Sequence, residues 1–168
     1  MKKIVSVYFI LLLCFSVSVF AQIPVNTLFQ IVKAEDERRS DSTLENLLKN
    51  PNPTIRERAV LAIGRIGNDA SIPALNNLLV TEKELKVRTM IMFAIGEIES
   101  VKGADTILKV LQQDDDSVEV LARAVEAAGK IAAANAKDES AKKLGSAILE
   151  RLTFENSKRS APFQNIVL

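Results

Sequence analysis

The densest run of side chains able to do chemistry is Asp114, Asp115 and Asp116. Three carboxylates could hold a calcium ion. Adjacent acids, however, lack the spaced oxygen ligands and the central glycine of a calcium loop. The run also precedes a helical pattern, and the positive end of a helix attracts acids. It is therefore read as helix-start electrostatics, and no metal site is expected. Ser140 is followed by Lys142 and Lys143, the residue types of a serine–lysine nucleophile. A lysine activates a serine only when burial strips its charge, and these three open a polar helical segment. Glu35, Asp36 and Glu37 precede Arg38 and Arg39. Carboxylate-pair hydrolysis needs two acids facing each other across a cleft. The spacing of Glu35 to Arg38 and Arg39 fits instead ion pairs along one exposed helix, worth about 0.2–0.5 kcal/mol each. The chain has no histidine, which removes the commonest general base and metal ligand. No catalytic residue, cofactor or metal is expected, and the chain is read as not an enzyme.

The elements that would position any site are legible as repeats. Ala62-Ile63-Gly64-Arg65-Ile66, Ala94-Ile95-Gly96-Glu97-Ile98 and Ala127-Ala128-Gly129-Lys130-Ile131 place their glycines 32 and then 33 residues apart. Such a period marks a stack of repeated units. Ile55-Arg56 and Val87-Arg88 hold the same offsets before their glycines; in the third copy Val120 keeps the apolar slot and Leu121 replaces the arginine. Leu75, Leu78 and Leu79 correspond to Ile107, Val110 and Leu111, and Leu44, Leu47 and Leu48 lie one period earlier. Each copy reads as two helices. Ile55, Ala59, Ala62, Ile63 and Ile66 recur at the three- and four-residue spacing of a helix with one buried face. The expected pairs are 26–38 with 42–49, 54–66 with 71–80, 86–98 with 103–112, and 117–134 with 138–152. Gly67 and Asn68 supply a left-handed stop after the first full copy's opening helix. Glycine inside a helix costs about 1 kcal/mol relative to alanine. The repeated glycines are expected to offset that cost by letting a neighbouring helix approach closely.

The N-terminus has the pattern of an export signal: Lys2 and Lys3, an apolar stretch from Ile4 to Phe20, then Ala21 before Gln22. Cleavage after Ala21 is expected; a retained anchor is the competing reading, since about 17 apolar residues is the lower limit for spanning a bilayer. Cys14 lies inside this stretch, so the 147 residues that follow have no cysteine and no disulfide. Loss of Lys2 and Lys3 takes the formal charge from +1 to −1, a balance that suggests neither nucleic acid nor an anionic membrane as partner. Residues 22–152 are assigned to one repeat domain, with a divergent first pair at 26–49 and repeats at 54–80, 86–112 and 117–152. Residues 153–168, with Ser157, Ser160, Pro162 and Asn165, are expected as an irregular tail.

The valine–arginine opening of the first helix and the A-x-G-x-I close resemble HEAT repeats, most nearly the short HEAT-like units of the phycobilisome lyase type. The word Ile31-Val32-Lys33-Ala34-Glu35-Asp36-Glu37-Arg38-Arg39 is similar to the opening of exported bacterial HEAT-repeat proteins, some of which carry a cyclophilin-type prolyl isomerase domain. This chain has no room for such a domain before Leu168. The resemblance implies an all-α, HEAT-like α-solenoid of about four helical hairpins. It implies that Arg56 and Arg88 tie one repeat to the next through an acid or a carbonyl, with Leu121 breaking that ladder. It also implies that the second helices line the concave side, where Asn76, Asn77, Lys109, Gln112 and Gln113 would offer hydrogen bonds to a peptide. The expectation is a non-catalytic protein- or peptide-binding scaffold, monomeric or weakly associating, exported to the bacterial periplasm or envelope. A repeat module serving a prolyl isomerase or lyase-type enzyme is the alternative.

Overall fold

The structure, a computed structural model, describes residues 22–39, 41–113 and 117–164, with side chains to residue 158. The expected export signal, the three aspartates at 114–116 and the last four residues lie outside the described residues. Among those described there are eight α-helices and no strand. They are α1 (Val25–Asp36), α2 (Ser42–Leu47), α3 (Pro53–Ile66), α4 (Ile72–Thr81), α5 (Leu85–Ile98), α6 (Ala104–Gln112), α7 (Val118–Ala134) and α8 (Glu139–Gln164). Three-residue 3₁₀ turns, Asp69–Ser71 and Val101–Gly103, lead into α4 and α6.

Local chemistry sets several helix starts. Asp41 and Asn52 each accept a hydrogen bond at 2.9 Å from the backbone N–H two residues on, capping α2 and α3. Pro53 takes the first position of α3, where a missing N–H costs nothing. Ser117 caps α7 through the Val120 N–H. The ends differ between copies. Gly67 closes α3 at φ 73°, whereas α5 closes on Glu99 at φ 55°, a left-handed conformation that L side chains resist. Helix α7 has no left-handed stop and runs on to Ala134.

The odd-numbered helices pack side by side, α1 on α3, α3 on α5 and α5 on α7, and the even-numbered helices cover one flank. Ile66, Ile98 and Ile131 belong to one contiguous core that runs through every repeat. Each such isoleucine contributes about 1.5–3 kcal/mol by burial. The seam is tightest at the glycines. A β-carbon on Gly64 would lie 2.8 Å from the Ala94 Cα, and one on Gly96 would lie 2.9 Å from the Ala127 Cα. The motif is thus a lock and key between repeats: the glycine of one copy receives the alanine that stands two residues before the glycine of the next.

Two expectations need correction. Gly129 makes no close approach, since nothing lies within 4 Å of its β-position. It closes the glycine series, and no described helix presents the next alanine. Residues 153–164 are not an irregular tail but continue α8 to Gln164. Arg151 pairs with Glu155 one turn on, and Arg151 and Lys158 both stand over the Phe154 ring, at 5.3 and 4.4 Å, so the extension carries its own side-chain support.

Candidate interaction surface

Polar side chains lock the repeats to one another. The Arg56 guanidinium donates to both oxygens of Glu82, at 2.7 and 2.8 Å, and to the carbonyls of Asn50 and Pro51 at 2.9 and 3.1 Å. Glu82 in turn accepts from the Lys83 and Glu84 N–H groups, both at 3.0 Å, so one carboxylate organises the passage from α4 to α5. Its side chain is only 3% exposed. Burial pushes the Glu82 carboxyl up, but the Arg56 hydrogen bonds and the backbone donors together hold it below the usual carboxylate range. Arg88 donates to the carbonyls of Leu79 and Glu82, at 3.4 and 3.3 Å. At the third junction, where Leu121 stands, a guanidinium arrives from elsewhere: Arg151 of α8 reaches the Gln113 carbonyl at 3.1 Å. A carbonyl at the end of α6 is thus served by the second helix of the pair instead of the first.

Glu35 does not pair along its own helix. It is held across the seam by Arg58 at 2.6 Å and Arg65 at 2.7 Å, while Arg38 donates to the Ile66 carbonyl at 2.7 Å. Arg39 pairs with Glu37 and Asp41 instead. The reason is reach: Arg38 lies beyond the end of α1 at φ 47°, which turns it towards α3. Burial raises the Glu35 carboxyl, yet the two arginines outweigh it and leave it below its ordinary value.

The residues expected to bind a peptide are spread over separate second-helix surfaces. Asn77 is exposed and borders a cleft of about 370 Å³ between α2 and α4, with Glu45, Asn46 and Lys49 opposite. Asn76 is half-buried, and its Oδ1 accepts from the Thr106 hydroxyl at 2.8 Å, which commits it to joining α4 to α6. Lys109 is exposed on α6. Gln112 lines a cleft of about 390 Å³ between α6 and α8 with Glu150 and Phe154, and Gln113 gives its carbonyl to Arg151.

A larger apolar cleft lies on the other layer. It spans three successive first helices, α3, α5 and α7, with a volume of about 510 Å³. Leu61, Met90 and Phe93 line it, with Leu85 at the start of α5 and 42% exposed. Thr89 and the charged Glu57, Lys86, Glu119 and Arg123 complete its lining. Arg123 and Lys130 stand over the Phe93 ring at 5.7 and 5.3 Å. Sequence reasoning passed over this surface. A signal for it existed: Leu61 and Phe93 both stand three residues before a repeat glycine, a position outside the buried stripe.

Among the described residues no group of acids or cysteines is arranged to hold a metal ion. No described helix is long and apolar enough to cross a membrane. Residues 27–88 match the family model described as HEAT repeats. The chain is similar in structure to one in the complex of CpcE and CpcF of phycocyanin lyase from Nostoc sp. PCC7120, with a TM-score of 0.51 and 16% identity. That match covers 84% of this chain and 70% of the other. No curated protein matches the sequence. The described helix pairs form an all-α, HEAT-like solenoid, in which residues 27–88 match HEAT repeats.

Proposed function

We propose that this chain is a non-catalytic protein-binding scaffold exported to the bacterial periplasm or envelope. The observation that carries the binding role is the apolar cleft bridging α3, α5 and α7. It lies on helices whose mutual positions are held by the glycine seams, so a partner meets a preformed surface and little ordering cost opposes association. Lys2, Lys3 and the apolar stretch after them support export.

Photo-crosslinking in the producing cell tests the binding role. A photoreactive residue at Thr89, in the cleft, should give one discrete protein adduct, and Phe93→Asp should abolish it. The same probe at Asn77 samples the second-helix surface. Absence of any adduct from both positions would sink the scaffold reading. Cell fractionation tests export: the chain should appear outside the cytoplasm, and deletion of residues 2–21 should retain it inside.

A second reading is a repeat module that serves a prolyl isomerase or lyase-type enzyme. The likeness to a chain from the phycocyanin lyase complex favours the lyase-type form. On either reading the purified chain should show no prolyl-peptide isomerisation above background, and turnover by the chain alone would overturn the non-catalytic role.

A further inference from the structure

Building on the cleft as a protein-binding surface, we propose that its occupant is a basic amphipathic helix. The argument is one of charge balance around an apolar floor. The charges near Phe93 are already matched within the chain. Arg123 holds Glu126 at 2.6 Å, and Lys130 holds both Glu97 and Glu126. Farther along the lining the balance changes. Glu57 on α3 and Glu119 on α7 have no hydrogen-bond or ion-pair partner among the described residues. Lys86 is the remaining charge, also without a partner there. Two carboxylates against one ammonium leave the cleft acidic, with one acid on each helix flanking α5.

A ligand with apolar anchors and flanking cations satisfies both features. Its apolar side chains would cover Leu61, Leu85, Met90 and Phe93. Its lysines or arginines would answer Glu57 and Glu119. A helix presents anchors at i, i+3, i+4 and i+7 to a groove of this kind, and the flexible thioether of Met90 adapts to differing anchors. An acidic helix would bring like charges against both carboxylates.

The test uses two fluorescent model helices of about 14 residues, roughly four turns. Both carry the same leucine face; one has lysine and the other glutamate at every polar position. Anisotropy titrations are run with the full-length chain. The lysine peptide should bind at least about tenfold more tightly than the glutamate peptide. Phe93→Asp and the milder Phe93→Ala should each weaken it, with circular dichroism confirming that both variants fold. Glu57→Lys combined with Glu119→Lys should reverse the preference. Equal affinities, or a preference for glutamate, would overturn the basic specificity while leaving the cleft as a binding surface. Failure of both peptides, or binding unaffected by both Phe93 variants, would overturn the cleft itself. Sedimentation of the chain alone covers one other occupant: a dimer dissociated by Phe93→Asp would assign the cleft to a second copy and overturn the proposal.

Discussion

Gly64 sits beneath Ala94 across the seam between α3 and α5, with only 2.8 Å from its β-position to the alanine Cα. The obstacle is backbone, so it cannot swing aside. Gly96 repeats the relationship with Ala127 at 2.9 Å, while Gly129 faces open space. Gly64→Ala and Gly96→Ala should therefore each lower stability by about 2 kcal/mol through overpacking. Gly129→Ala should raise it by about 1 kcal/mol, because the helix gains propensity and nothing is displaced. Urea denaturation of the three variants checks this, and equal effects would remove the lock-and-key account.

The Arg56–Glu82 pair makes a second prediction. Both side chains are largely removed from water, at 14% and 3% exposed, and the carboxylate also receives two backbone donors. Glu82→Ala removes the arginine's counter-charge, leaving it only the Asn50 and Pro51 carbonyls, and should cost about 3 kcal/mol in chemical denaturation. Replacing both partners by apolar residues of similar volume should cost clearly less. A double-mutant cycle with no coupling would show that the pair contributes nothing.

Acid sensitivity follows from the same carboxylate together with Glu35. Both are held below their ordinary values in the folded chain. The unfolded chain therefore takes up protons first as pH falls. The stabilisation is complete above the unfolded value of about 4.3 and is lost as pH drops through the lower folded values. Thermal midpoints should stay level through neutral pH and decline below about pH 4.3. Glu82→Gln and Glu35→Gln should each flatten that decline, and an unchanged acid limb would remove both groups from it.

Glu99 ends α5 at φ 55° with an exposed side chain, in the place where Gly67 ends α3. A residue with a β-carbon costs about 1–2 kcal/mol in that conformation. Glu99→Gly should gain about 1 kcal/mol, read as a raised thermal midpoint. A lower midpoint would mean that the glutamate side chain contributes more than its backbone costs.

Much of the architecture was legible in the residues. The 32-residue spacing and the Ile–Ala stripes located the helix pairs, while the Asn52 cap that starts α3 emerged only in the structure. The continuation of α8 was hidden because its support is a local set of polar pairs around Phe154, not an apolar stripe. The 3₁₀ turns before α4 and α6 were equally silent, since three residues are too few to show a period. The candidate surface was less readable. Leu61 and Phe93 share a repeat position, but only the packing of α3, α5 and α7 turns single exposed apolar residues into one cleft.

The sequence by itself determined the repeat, the helical period and the buried stripe. The period and the stripe depend on interactions within about four residues, the repeat is a recurrence along the chain, and spacing records all three directly. Only the tertiary structure decided which alanine meets which glycine, that Glu35 serves Arg58 and Arg65, and that Arg151 reaches the junction where Leu121 replaced an arginine. Those choices depend on how far one helix slides along its neighbour and on how far a long side chain reaches. Neither quantity is written in the spacing of residues along a single helix.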